Sequence, residues 1–318
     1  VLKSDYSNFE IILVDNASTD GSFEIARRRY SNNRKVRFLL NKSNLGYAEG
    51  NNRGLKASNP NAEYVAVLNI DTKVDPKWLR NLILVVDKNE DVAIATCKML
   101  QMDDPVKIDT AGGLIDPLGF TYMRGVDTKS SRFNKTCDVF YGDGSALLIR
   151  KKALKDLEIA ESLFDPLYFC YYEELDLCWR VRLRGYRVIF VPSSIIYHKR
   201  GGIVSKREEP ILVFHKTKNK LMTLIKCYET RNVLKYVPIA ALIEILAGII
   251  IMPIYPFHGI ARLKGVFWII RNLRKVYERR KNVQRLRKVS DMEIMKYMER
   301  SLLNKWFKMM FYFLFFIR

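Results

Sequence analysis

The sequence predicts an α/β fold in which a Rossmann-like, mostly parallel sheet occupies residues 1–205 and a basic, partly apolar helical extension occupies residues 206–318. Three observations carry this. In the first hundred residues short β-branched runs alternate with single helical patterns, as in βαβ units. Residues 1–198 are near neutral, with 28 basic and 26 acidic side chains, whereas residues 199–318 carry 26 and 8, so the net +20 of the chain belongs almost wholly to its last third. Residues 236–257 form a 22-residue run whose one charge is Glu244.

Residues 9–15 (FEIILVD) read as a buried strand, 21–30 as a helix, 35–40 as a strand, 47–57 as a helix and 64–68 as a strand. Asp75-Pro76 opens a helix running to about residue 88, and residues 92–96 make another strand. Ligands of such sheets collect beyond the carboxyl ends of the strands. From 103 to 141 glycines and Pro117 punctuate polar stretches, which suits loops and a hairpin. Helices follow near 145–157 and 174–184, with the aromatic stretch 164–172 between them and a strand at 187–191.

As a helix, residues 236–257 would be about 33 Å long, enough to cross a bilayer core. Pro238, Pro253 and Pro256 would kink or shorten it, so an interfacial hairpin competes with a true span, and a buried core helix is the third option. Residues 271–288 are dense in Lys and Arg, and residues 306–317 are rich in Phe. This combination suits an anionic membrane surface. A nucleic-acid partner is disfavoured because no recognition module accompanies the charge. The five cysteines are scattered without a C-x-x-C pair, which suits a reducing compartment.

Five clusters carry candidate chemistry. Asp15, Asn16 and Ser18 end the first strand and place a carboxylate at the ligand edge of the sheet. Asn44, Gly46, Asn51 and Arg53 lie in a polar, Gly-rich helix entry able to approach a nucleotide, with Arg53 available for phosphate. Asn69 and Asp71 send two oxygen-bearing side chains from a strand end, as a hard divalent cation bridging a diphosphate requires. Glu173, Glu174 and Asp176 crowd three carboxylates beside aromatics, which raises a carboxyl pKa toward that of a general base. His198 follows a strand and could ligate the same metal, with Lys199 and Arg200 meeting phosphate.

In order and spacing these clusters resemble glycosyltransferase family 2, of GT-A fold, and within it the rhamnosyltransferase-like branch. The motifs are Val14-Asp15-Asn16 through Gly21-Ser22, Asn44-Leu45-Gly46 through Gly54, Leu68-Asn69-Ile70-Asp71 with Pro76, Glu173-Glu174-Leu175-Asp176-Leu177-Cys178, and His198 before Gly201. The resemblance implies metal-dependent, inverting sugar transfer from a UDP- or dTDP-sugar to a lipid-linked or polysaccharide hydroxyl at the cytoplasmic face of the membrane. It places Asp15 against the pyrimidine N3–H, Asp71 and His198 on Mg²⁺ or Mn²⁺, and Glu174 or the adjacent Glu173 as the base, with Asp176 beside them. Two departures stand out: Asn69 replaces the first Asp of the family's D-x-D, and Glu174 its usual Asp. The likeness starts after the family's first strand, so that strand is expected to lie outside this sequence. The competing reading is a non-catalytic sugar-nucleotide-binding or membrane scaffold protein.

Overall fold

The computed structural model describes residues 1–159, 162–199 and 209–299. Arg200 and residues 306–317 fall outside these. The chain opens with β1 (Ile11–Asp15), α1 (Ser22–Tyr30), β2 (Val36–Leu40), α2 (Gly46–Ala57) and β3 (Tyr64–Leu68). Next come β4 (Thr72–Val74), α3 (Trp78–Asp87) and a long β5 (Val92–Gln101). Short strands β6 (Ile108–Thr110), β7 (Gly113–Ile115), β8 (Thr121–Met123) and β9 (Cys137–Asp138) fill the expected loop region, β7 and β8 forming the hairpin. Then follow β10 (Ala146–Arg150), α4 (Lys151–Asp156), α5 (Glu173–Leu183) and β11 (Arg187–His198).

The main sheet runs β3-β10-β5-β11-β4, with β6 beside β5 and β9 beside β11, while β1 and β2 pair in parallel as a separate two-stranded sheet. The sheet is mixed rather than mostly parallel. β11 runs parallel to β5, but β10 lies antiparallel between β3 and β5, and β4 antiparallel to β11. The β10 part of this departure comes from residues 145–157, expected as one helix. Ala146–Arg150 is instead a strand buried between two others, and only Lys151–Asp156 is helical. An Ala-Leu-Leu-Ile run fits either period, and burial between strands decides it.

The last third supplies α6 (Pro210–Cys227), α7 (Thr230–Ile251), α8 (Pro256–Arg271), α9 (Leu273–Arg285) and the short α10 (Asp291–Ile294). α6 is buried along most of its length and shares a hydrophobic cluster with Leu175, Trp179 and Phe164 of the α/β body. It therefore packs as part of that core. α7 and α8 form a hairpin over α6, broken at Pro253 and restarted at Pro256. α7 is the one described helix long and apolar enough to cross a membrane by length and composition. It is not a buried core helix. Leu242, Leu246 and Ile249 are about half exposed, as are Phe257, Phe267 and Ile270 of α8 or more so.

Candidate active site

The register of β4 against β11 builds the first half of the site. His198 pairs with Thr72, which sets it beside Asp71 at the end of the β3–β4 turn, and the Lys199 N–H donates to the Asp71 carbonyl at 3.0 Å. Asp71 Oδ1 is buried, lies 3.5 Å from His198 Nε2 and accepts no hydrogen bond among the described residues. The other imidazole nitrogen, Nδ1, meets Asp109 Oδ2 of β6 at 2.7 Å. That carboxylate fixes the ring and, with burial opposing, raises its basicity. A carboxylate behind a histidine whose far nitrogen faces a buried, unsatisfied oxygen is the outer-shell pattern of a metal-ligating histidine.

These residues fit a hard divalent cation. Among the described residues no group of three or more His, Cys, Asp or Glu gathers into a full cage. A two-ligand site suits Mg²⁺ or Mn²⁺ shared with phosphate oxygens and water. Asn69 is held by Ser145, its N–H donating to the Ser145 carbonyl at 2.9 Å and its amide reaching the hydroxyl at 3.4 Å. It braces the turn that presents Asp71. Lys199 is exposed at the mouth.

The second half is the N-terminus of α5. Phe169, Tyr171 and Tyr172 all take positive φ values, of 63°, 66° and 71°, a conformation aromatic residues rarely adopt. Asn219 of α6 holds this segment, its amide donating to the carbonyls of Tyr168, Cys170 and Tyr171 at 2.7–2.9 Å. Glu173 and Glu174 follow directly, each with a buried Oε2 that has no hydrogen-bond partner among the described residues. Burial, then the neighbouring Asp143 carboxylate, pushes Glu174 up to about 7. Burial, then the Glu174 charge, raise Glu173 well above the usual carboxylate range. A carboxyl group raised by burial and a neighbouring carboxylate is the condition for a base that works near neutral pH. Asn219→Ala is expected to cost about 2–4 kcal/mol in urea unfolding, because three buried carbonyls lose their donor. It should also lower turnover while leaving donor affinity unchanged, as befits a positioning residue.

Asp176 has a different place from the one expected. It is fully buried, with Arg180 Nε on Oδ2 at 2.8 Å, and Lys226 Nζ and the Tyr168 hydroxyl on Oδ1 at 2.9 and 3.0 Å. Successive helical residues turn by about 100°, so Asp176 points roughly opposite to Glu174. It neutralises cations that tie α5 to α6. Asp176→Asn leaves buried Arg180 without its carboxylate and Lys226 with Asp165 alone, and unfolding should become easier by about 3–5 kcal/mol.

The candidate nucleotide residues lie on the β1 and α2 loops and are largely bonded to one another. Asp15 Oδ2 accepts from the Ser18 N–H at 2.9 Å. Asn16 donates to the Gly46 carbonyl and accepts from Asn41, whose own amide oxygen meets Arg53 at 3.3 Å. Asn44 accepts from the Gly46 N–H, and Asn51 bonds the Tyr47 carbonyl. Gly46 is required by shape: its φ is +78° and a Cβ there would fall 2.5 Å from the Phe169 ring. Asn16, Asn44, Gly46 and Asn51 thus shape the loop, while the side chain of Arg53, about half exposed, remains able to meet a ligand.

Residues 1–158 match the family described as glycosyl transferase family 2. Glycosyltransferase GlyG of Streptococcus pneumoniae is 35% identical over 219 residues, which span 65% of this chain and 67% of GlyG. The chain belongs to glycosyl transferase family 2. A further family relative, the N-acetylglucosaminyl-diphospho-decaprenol L-rhamnosyltransferase of Mycobacterium tuberculosis, is 27% identical over 217 residues, 60% of this chain and 66% of that enzyme. The fold is GT-A. GalNAc-T7, solved with UDP, GalNAc and Mn²⁺, superposes with a TM-score of 0.57 at 16% identity, covering 81% of this chain and 47% of that one. The mannosyltransferase PcManGT of Pyrobaculum calidifontis, solved with GDP-Man and Mn²⁺, gives 0.50 at 15% identity, covering 86% and 80%.

In this family member, sequence reasoning missed Asp109, Asp143, Asn219 and Tyr47. Asp143 lies in the Gly142-Asp143-Gly144 turn, where burial raises its pKa and its charge acts on both Glu174 and His198. Tyr47 donates to the Gly144 carbonyl at 2.6 Å and closes the floor under Glu174. An acid flanked by two glycines was the one local signal available for any of these.

Proposed function

We propose that the protein is an inverting glycosyltransferase that moves a sugar from a UDP- or dTDP-sugar to a hydroxyl of a lipid-linked or polysaccharide acceptor, using Mg²⁺ or Mn²⁺. One observation carries the reading: a buried, unsatisfied Asp71 oxygen facing a carboxylate-backed His198, with Asp143 acting electrostatically on both that histidine and the raised-pKa Glu174. A non-catalytic scaffold has no use for buried carboxylate oxygens left without hydrogen bonds.

In this reading Asp71 and His198 hold the cation, which when bound neutralises the departing diphosphate. Lys199 adds positive charge at the same mouth. Arg53 and Asp15 face the nucleotide, Asp15 toward the pyrimidine N3–H. Glu174 takes the proton of the acceptor hydroxyl as that oxygen attacks the anomeric carbon from the side opposite the leaving group, so configuration inverts. Burial and the Asp143 carboxylate keep Glu174 basic. A panel of UDP- and dTDP-sugars with Mn²⁺ and a polyprenyl-diphosphate-linked sugar tests this. Acceptor-dependent nucleotide release is expected with one donor, and none with any donor would remove the reading.

The exposed apolar faces of α7 and α8, with Lys264, Arg271, Arg274 and Lys275 exposed beside them, support attachment to an anionic membrane surface at the cytoplasmic face. The five free cysteines agree with that compartment. Cosedimentation with vesicles containing phosphatidylglycerol should fall on Leu246→Glu/Phe267→Glu substitution.

A further inference from the structure

The turn of Gly142, Asp143, Gly144 and Ser145 touches both halves of the site. At one end Ser145 holds Asn69, two residues before Asp71, through its carbonyl at 2.9 Å and its hydroxyl at 3.4 Å. At the other end Tyr47 donates to the Gly144 carbonyl at 2.6 Å, and a Cβ on Gly144 would lie 3.7 Å from that of Glu174. Gly142 seats the turn on the main sheet so closely that a Cβ there would strike the Leu147 side chain and lie 2.8 Å from the Thr96 Cβ. Asp143 is the one charged residue of the turn, and it is half-buried where Gly142 and Ser145 are buried. Its Oδ1 accepts the Ser145 N–H at 2.8 Å, an Asx turn that fixes the direction of the carboxylate. Among the described residues no third acid joins Asp71 and His198 in a cation cage, so Asp143 acts on His198 through its charge alone.

In the transfer proposed above, the sugar lies between the diphosphate held at Asp71 and His198 and the hydroxyl deprotonated at Glu174. A group placed there meets the turn that joins those two positions. Asp143 offers it a carboxylate, and a carboxylate set to accept from a substrate hydroxyl discriminates strongly, because its alternative is to stay unpaired. The same carboxylate also sets a sign. Among the described residues no Lys or Arg pairs with Asp143, Glu173 or Glu174, so a carboxylate carried in by the sugar would face acids without a counter-charge. Resting on the glycosyltransferase reading, we infer that Asp143 is a specificity-determining residue, which accepts a hydrogen bond from a hydroxyl of the transferred sugar and restricts the donor to neutral sugars, excluding uronic acids.

The test is equilibrium binding to the full chain with saturating Mn²⁺. UDP-glucose, UDP-galactose, UDP-glucuronate and UDP-galacturonate are each measured relative to UDP, so that a general change in nucleotide binding cancels, and dTDP-glucose and dTDP-glucuronate relative to dTDP form a parallel set. The better neutral donor is expected to bind about tenfold or more tightly than its uronate. Asp143→Ala should weaken that neutral donor about tenfold against the bare nucleotide, the loss of one hydrogen bond to a charged group. Asp143→Asn, of the same shape but uncharged, should narrow the preference for neutral over acidic donor about tenfold. Equal binding of neutral and acidic donors by the parent overturns the inference, as does a preference that Asp143→Asn leaves intact. So does an Asp143→Asn protein that loses as much affinity for UDP as for the UDP-sugars, which would assign the carboxylate to the cation or the diphosphate. Nucleotide binding without discrimination between the sugars removes this inference alone, whereas failure to bind either nucleotide removes the glycosyltransferase reading beneath it.

Discussion

Glu174→Gln lowers sugar transfer by about 10²–10⁴-fold while donor and metal still bind, because the substitution keeps the shape of the side chain and removes its proton acceptor. The parent enzyme's kcat/KM should rise with pH along a limb centred near 7, following the Glu174 carboxyl. In Glu174→Gln that limb disappears from the residual rate. Stability moves the other way. Glu174 is raised from 4.5 to about 7 on folding, so the folded state binds its proton more tightly than the unfolded chain does. The stability this supplies is full below pH 4.5 and is lost as pH rises through 7. Glu174→Gln should therefore unfold at the parent's temperature near pH 4.5 and at a higher temperature at pH 8, a gain of about 3 kcal/mol. A variant that is more stable at high pH and nearly inactive at every pH is the mark of a carboxylate kept for chemistry.

Asp71→Ala has the other large expected effect. The buried Oδ1 has no hydrogen-bond partner among the described residues, so its removal costs little folding energy. It should instead abolish Mn²⁺ binding in the presence of nucleoside diphosphate and reduce turnover by at least 10³-fold, several kcal/mol of charge stabilisation. His198→Ala should weaken Mn²⁺ binding less, since the carboxylate remains. Asp109→Asn belongs to the same series: it keeps the contact to Nδ1 but withdraws the charge, and outer-shell changes of this kind cost about 10–100-fold in metal affinity or activity. Titration of Mn²⁺ into each variant by electron paramagnetic resonance separates the three.

Much of the fold was legible because local pattern and tertiary environment agree there. β3 begins and ends where its apolar run does, and α2 differs by one residue. β5 and β11 run past their expected ends, to Gln101 and His198, because pairing with each other sustains them through polar residues and past the irregularity between Val191 and Ile195. β10 was hidden, since its apolar run suits a helix until two neighbouring strands bury it. In the site, Asp71 and His198 could be paired through motif order, but Asp109 could not. It lies 89 residues from His198 and meets it only through the β5–β6 pairing. Asn219 reaches the α5 entry from 48–51 residues away. Asp176 was grouped with Glu173 and Glu174 by proximity in sequence, and the helix turn separates it from Glu174.

Nucleotide release from the active donor, followed for the parent, Asp71→Ala and Glu174→Gln with and without acceptor and Mn²⁺, tests the account most directly. The parent should release nucleotide in a metal- and acceptor-dependent way. Glu174→Gln should lose the acceptor-dependent part while binding donor as before, and Asp71→Ala should lose the metal dependence with nearly all release. Equal release by all three proteins would contradict the assignment of this site.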